Sequence, residues 1–147
     1  MGEQATIMRG WKTTLVASLL SLLAMTVEAA QAVGRVDEIA AQWNQALSER
    51  NLEALLKMSD RQAMVILADG RVVKDREEIR RFWQELLERE DCPTIDLKEV
   101  IYAGQDTLVS KIIWKQGKEG LEFMGEAYGV FKRRPDGRWV LKVLRWN

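Results

Sequence analysis

The sequence predicts an α+β fold in which about three N-terminal helices pack on one face of a sheet that is at least largely antiparallel. Three observations predict it. Apolar residues recur at helical spacing in much of the chain between residues 36 and 92. After residue 93 they alternate as in strands. Turn signals divide this second part into four segments. Helices followed by a run of strands are typical of α+β domains.

Length and composition indicate a single globular domain. The 147 residues are 47% hydrophobic and 30% charged, and a chain of this size can bury one core. The 22 basic residues balance the 22 acidic ones, so there is no net charge to attract nucleic acid or an anionic membrane. We therefore expect neither nucleic acid nor a membrane as a partner of the folded domain.

The first residues have the pattern of a secretory signal peptide over residues 1–32. A basic head precedes an uncharged apolar run, and small residues follow at Ala30 and Ala32. We expect cleavage after Ala32, a mature domain over residues 33–147, and a secreted or periplasmic protein. The alternatives are an uncleaved membrane anchor, for which the apolar run is short, and a true start at Met8.

Three helices are predicted from their apolar faces and their caps. Residues 36–47 place apolar side chains on one face, and Asn51 suits the N-cap of a second, shorter helix. Asp75 and Glu78 form a capping box that opens the clearest helix. Its apolar residues recur at i, i+3, i+4, i+7 and i+8, namely Ile79, Phe82, Trp83, Leu86 and Leu87.

The strands are predicted from alternation and turns. Asp69-Gly70 joins two short apolar runs into a hairpin. Four further strands follow residue 93, separated by turns at residues 104–106, 116–120 and 134–137. Strands joined by such short turns pair with their neighbours in sequence, so the second part of the chain is expected to form an antiparallel meander.

The element order and the ending YGVFKRRPDGRWVLKVLRWN resemble the nuclear transport factor 2-like superfamily, which includes ketosteroid isomerase, scytalone dehydratase and the SnoaL-like polyketide cyclases. The chain is most similar to small, often exported domains of unknown function in that superfamily. The resemblance covers residues 36–147 and implies a cone-shaped, cystatin-like fold, in which about three N-terminal helices pack on one face of a curved antiparallel or mixed sheet and a cavity lies between helices and sheet. The residues that match the pattern of this branch are Tyr128, Phe131, Asp136, Gly137, Trp139, Trp146 and Asn147, with Phe131 at a place where tryptophan is usual.

Leu144 departs from that pattern. Relatives in this branch often carry an aspartate at this place that faces the cavity. The resemblance therefore implies that any chemistry performed by that acid is lost here, and it supports the fold more than an activity.

The residue types exclude several kinds of site. The chain has no histidine, which removes histidine-assisted nucleophilic catalysis and nearly all catalytic zinc or iron sites. Cys92 is the only cysteine, so no disulfide forms within the chain and no thiolate cluster can bind a metal. No glycine-rich phosphate-binding motif occurs. We expect neither a metal nor a cofactor.

One acid–phenol pair remains as a candidate for catalysis. With Gly137 in the left-handed position of the last turn, the predicted register places Leu144 opposite Tyr128. The same register places Trp146 opposite Glu126. Alternation puts Glu126 and Tyr128 on one face, where an acid could move a proton while a tyrosine stabilises an enolate oxygen. The alternative is a surface carboxylate beside a half-buried tyrosine.

The other face of this strand is apolar and small at its centre. Gly125, Ala127 and Gly129 alternate there, which leaves room for a cavity floor, for close packing of a helix, or for bending of the sheet. The resemblance places the cavity between helix and sheet, so Trp43 and Trp146 are the rings expected to line it.

The leading hypothesis is an exported domain that binds an apolar small molecule through Trp43, Tyr128, Leu144 and Trp146, with Tyr128 as the hydrogen-bond donor. The first alternative is a ketosteroid isomerase-like or SnoaL-like isomerase or cyclase that uses Glu126 and Tyr128.

A further alternative is homodimeric association without a ligand. Trp139, Leu141 and Val143 alternate on the last strand, where both sheet faces are partly apolar. Helices can cover only one face of so small a sheet, and a large uncovered apolar patch is typical of an interface. A homodimer is therefore predicted.

Overall fold

The computed structural model describes residues 27, 30–118 and 121–147. The chain divides into two units, Met1–Gly34 and Arg35–Asn147. In the first unit the described residues, 27 and 30–34, are helical. The predicted signal peptide thus lies mostly outside the described residues. Nowhere in the described part of the chain is a helix long and apolar enough to cross a membrane.

The helices of the second unit are α1 (residues 35–48), α2 (Leu52–Lys57) and α3 (Arg76–Glu88). Both predicted caps are confirmed. The Asn51 side chain accepts a hydrogen bond from the Ala54 N–H at 3.0 Å. Asp75 and Glu78 form the reciprocal capping box that begins α3. Each cap satisfies backbone donors that have no partner within the helix, and this fixes where each helix begins.

The strands are β1 (Ser59–Ile66), β2 (Val72–Val73), β3 (Thr94–Ala103), β4 (Thr107–Gln116), β5 (Phe123–Arg133) and β6 (Trp139–Trp146). They form one six-stranded sheet in the order β2-β1-β6-β5-β4-β3. Strands β3 to β6 form the predicted antiparallel meander. The hairpin of β1 and β2 joins it through a parallel pairing of β1 with β6. The sheet is mixed, and the predicted α+β fold is confirmed.

The helices pack on one face of the sheet, called here the helix face, and the opposite side is called the open face. The core lies between the helices and the helix face. It contains Trp43 of α1, Leu55 of α2 and Trp83 of α3, packed with Ile112 and Phe131 of the sheet. Apolar burial of this kind is the main source of stability in a domain without a disulfide.

The last hairpin begins as predicted and then changes register. The Gly137 N–H donates to the Arg134 carbonyl at 2.9 Å, and Gly137 has a φ of 87°. Strand pairing shifts between Val130 and Phe131, because Lys142 is an extra residue in β6. The amino group of Lys142 bonds Asp60 of β1 at 3.1 Å, which holds the bulge against its neighbour.

This bulge makes the predicted register wrong by one residue beyond Lys142. Leu144 lies opposite Gly129 rather than Tyr128, and Trp146 lies opposite Ala127 rather than Glu126. A shift of one residue moves side chains to the other face.

The bulge also separates three residues that were predicted to alternate on one face. Trp139 and Leu141 precede it and lie on the helix face with Phe131. Val143 follows it and pairs with Val130 on the open face.

Candidate functional site

A small hydrophobic cavity lies between α1, α3 and the helix face. Its volume is about 20 Å³, which is room for about one water molecule. Hydrophobic and aromatic side chains line it, namely Trp43, Leu47, Trp83, Leu86, Pro93, Ile95, Ile112, Phe131, Leu141, Leu144 and Trp146.

The small residues of β5 explain how large rings fit against the sheet. A Cβ atom added at Gly125 would lie 2.3 Å from the Trp114 ring. One added at Gly129 would lie 2.7 Å from the Phe131 ring and 3.0 Å from Ile112. The space over both glycines is therefore occupied by side chains of the sheet itself and not by a helix.

Aromatic rings form a continuous cluster from the interior to the end of the sheet near α3. Trp43 and Trp83 lie 5.0 Å apart between ring centroids, and Phe82 lies 4.8 Å from Trp83. Phe82 in turn contacts Trp146 edge-on at 6.4 Å. Trp146 stacks on Trp114 at 5.3 Å with an interplanar angle of 22°. Such offset and edge-on contacts are the favoured geometries for aromatic pairs.

Two indoles of this cluster, those of Trp83 and Trp114, differ in how their N–H groups are satisfied. The buried Trp83 indole donates from Nε1 to the Ser59 hydroxyl at 3.1 Å, and that hydroxyl donates to the Leu55 carbonyl at 2.8 Å. The Nε1 atom of Trp114 is also buried, yet it finds no acceptor among the described residues. A buried donor without an acceptor is unfavourable by about 1–3 kcal/mol.

Three of the four predicted ligand-binding residues line the cavity, namely Trp43, Leu144 and Trp146. Tyr128 does not. Because of the bulge it pairs with Arg145 on the open face, so its hydroxyl is not aimed at the cavity. Leu144 is buried on the helix face although the register from which it was placed was wrong.

Glu126 and Tyr128 share a face as predicted, but it is the open face. The Glu126 carboxylate pairs with the Lys111 ammonium at 2.6 Å, and its side chain is 50% exposed. The hydrogen bond to Glu126 raises the pKa of Lys111 above its ordinary value, against the opposing effect of desolvation. Any reaction that used this acid–phenol pair would therefore take place outside the cavity.

A second depression of about 320 Å³ lies at the edge of the sheet beside β3. There the side-chain amide of Asn44 takes the place of a neighbouring strand. It donates to the Ile95 carbonyl at 2.7 Å and accepts from the Ile95 N–H at 2.8 Å. Asn44 thereby satisfies part of the free edge of β3, which would otherwise be open to pairing with another strand.

Within the described ranges, no group of three or more acidic or cysteine side chains is placed to hold a metal ion.

Sequence reasoning missed Trp114 and assigned Trp83 only to the core. Trp114 lies two residues after the cavity-lining Ile112 on β4, and this spacing is the signal that both share a face. The register of the neighbouring strands, which places Trp114 between Ile95 and Gly125, cannot be read from composition or spacing.

The sequence model of the SnoaL-like domain matches residues 40–142 of the chain. No curated protein is significantly similar to it in sequence. The resemblance to the nuclear transport factor 2-like superfamily is confirmed by the domain match and by solved structures.

Three solved structures illustrate the similarity of fold. A substituted form of the protein Rd1NTF2_05 is 17% identical, with a TM-score of 0.65 over 74% of this chain and 93% of that one. A nuclear transport factor 2-like protein of unknown function from Pseudomonas putida KT2440 is 14% identical, with a TM-score of 0.61 over 82% of this chain and 85% of that one. A computationally designed 17-OHP binder is 15% identical, with a TM-score of 0.55 over 73% and 86%.

Proposed function

The chain belongs to the SnoaL-like domain family, and on that premise we propose that it is an exported protein that binds an apolar small molecule in the cavity between its helices and its sheet. The observation that carries this proposal is the lining of the cavity, which consists of hydrophobic and aromatic side chains. Ligand sites are commonly apolar clefts of this kind. Export rests on the signal-peptide pattern of residues 1–32.

The size of the cavity determines how a ligand could enter. A volume of about 20 Å³ is far below that of an organic ligand, so binding requires side chains to move. Trp43 and Trp83 are buried, whereas Phe82, Trp114 and Trp146 are only partly buried. The partly buried rings are therefore the ones that can open the site. A designed protein of similar fold is described as a 17-OHP binder, which supports a ligand-binding role.

Mass spectrometry under native conditions tests the proposal on protein purified from its own host without denaturation. We expect the parent protein to carry an additional non-covalent mass. Leu86→Phe should reduce the bound fraction, because the larger ring fills the cavity that Leu86 lines. Leu52→Phe is the matched control, since Leu52 packs on the core without lining the cavity. An unliganded parent that also fails to bind apolar compounds added at high micromolar concentration would contradict the proposal.

A second candidate function, homodimeric association, is favoured by an apolar stripe on the open face. Strand register places Tyr102, Val109, Val130, Val143 and Met64 in one row across five strands. All are partly or fully exposed, and within the described part of the chain no helix covers them. The adjacent row contains Glu99, Lys111 and Arg145. A second copy suits this stripe, because a row with both signs of charge can pair with itself across a twofold axis.

Sedimentation equilibrium tests the predicted homodimer. We expect the parent protein to be dimeric at high micromolar concentration and Val130→Arg to be monomeric, because the variant places a charge at the centre of the stripe. Phe123→Arg, at an exposed residue on the helix face at the start of β5, is the matched control and should remain dimeric. A monomeric parent, or a Val130→Arg variant as dimeric as the control, would count against association through this face.

A further inference from the structure

We propose that Trp114 is a movable plug, and that its place against Gly125 and Trp146 is the subsite for a flat, ring-containing apolar ligand. The inference rests on the proposed function. It adds the class of the ligand and the way by which the ligand enters.

Strand register places Trp114 at the border of the cavity. Trp114 lies between Ile95 on β3 and Gly125 on β5, in one row across the helix face. Ile95 lines the cavity, and so does Trp146, the ring on which Trp114 stacks. Trp114 does not line the cavity itself. It therefore adjoins two of the lining residues, and we infer that its displacement enlarges the cavity on this side.

The indole N–H of Trp114 favours displacement of its side chain. Its N–H is buried and has no acceptor among the described residues, although the ring as a whole is only partly buried. Rotation of the side chain into solvent lets this N–H bond water, which offsets part of the lost stacking. Trp83 is the contrasting case, because its N–H is bonded to Ser59 and its ring is buried.

The shape of the vacated place selects a flat ring. Its floor is the backbone of Gly125, where an added Cβ would lie 2.3 to 2.7 Å from three atoms of the Trp114 ring. Its wall is the Trp146 ring, against which Trp114 lies nearly parallel at 5.3 Å. A planar aromatic molecule can rest on the glycine and stack on the indole in the same way. A saturated ring system is thicker and loses the stacking.

Fluorine NMR on protein labelled with 5-fluorotryptophan tests both parts of the inference. The probes are naphthalene and decalin, which share a carbon skeleton but differ in planarity. The Trp114 resonance is assigned with Trp114→Phe. Trp139 is the internal control, because it begins β6, whereas the Trp146 ring on which Trp114 stacks ends that strand. Naphthalene should move the Trp114 resonance toward that of a solvent-exposed indole and leave Trp139 unchanged. Decalin should move neither.

The matched variants are Trp114→Ala and Trp139→Ala. Trp114→Ala should bind naphthalene about tenfold more tightly than the parent, as expected when an open state populated at about one tenth becomes permanent. Trp139→Ala should not tighten binding.

If naphthalene binds without moving the Trp114 resonance, Trp114 is not a movable plug, but the proposed function is still supported. Equal binding of decalin would overturn the ligand class. Failure of both the parent protein and Trp114→Ala to bind either probe would overturn the inference together with the proposed function.

Discussion

Trp83→Ala is expected to lower the free energy of unfolding by about 3–5 kcal/mol, the usual range for deleting a buried large aromatic side chain. Trp83 is 2% exposed and contacts the rings of Trp43 and Phe82. The substitution also removes the donor that reaches the Ser59 hydroxyl. Urea denaturation followed by circular dichroism measures the loss.

Trp83→Phe is the matched variant. It keeps a ring in contact with Trp43, and the Ser59 hydroxyl keeps its bond to the Leu55 carbonyl, so we expect a smaller loss of about 1–2 kcal/mol. If Trp83→Ala lost less than Trp83→Phe, the Trp83 ring would not be a central element of the core.

Leu144→Asp is expected to lower the free energy of unfolding by at least about 3 kcal/mol at neutral pH, because it places a charge among hydrophobic side chains. Burial should raise the pKa of the new carboxyl in the folded state above its unfolded value. The destabilisation should therefore be largest above the folded-state pKa, and it should diminish as the pH falls through that pKa toward the unfolded value. Denaturation at several pH values measures this dependence.

Two control variants show how much of the destabilisation comes from the charge and how much from the position of Leu144 on the helix face. Leu144→Asn is similar in shape but cannot ionise, so its loss should be smaller and independent of pH. Arg145 is the next residue in the chain and is exposed on the open face. Arg145→Asp should therefore change the free energy of unfolding by less than about 0.5 kcal/mol. A Leu144→Asp variant as stable as Arg145→Asp would mean that Leu144 does not face the core.

The elements and their caps could be predicted because the causes are local. Asn51 caps its helix through the next residues in sequence. Gly70 and Gly137 adopt the positive φ that their turns require. The mature N-terminus stays a prediction, since residues 1–26 lie outside those described.

The bulge at Lys142 could not be predicted by counting from the last turn. Lys142, the extra residue, bonds Asp60 on β1, and such a non-local contact cannot be read from spacing. One signal of the bulge was present in the sequence. Without a bulge, alternation would place the charged Arg145 on the same buried face as Trp139 and Leu141. The bulge moves Arg145 to the open face. Consistent burial of apolar residues and exposure of charges is therefore the better guide to register in such a strand.

The candidate site was predictable only in part. Trp43, Leu144 and Trp146 line the cavity. Tyr128 lies on the open face of β5, and the bulge in β6 places Leu144 and Trp146 on the opposite face from it. The volume of the cavity depends on how the rings over Gly125 and Gly129 pack, and packing of side chains from separate strands is a tertiary property that spacing does not reveal.

A crystal structure of the protein grown with naphthalene tests most directly the claim that the cavity of the helix face is a ligand site. We predict density for the ring between the helices and the sheet, in the place that Trp114 vacates over Gly125, with carbon atoms within about 4.5 Å of Gly125, Trp146 and Leu144. Density only on the open face, beside Glu126 and Tyr128, together with an unchanged cavity, would contradict it.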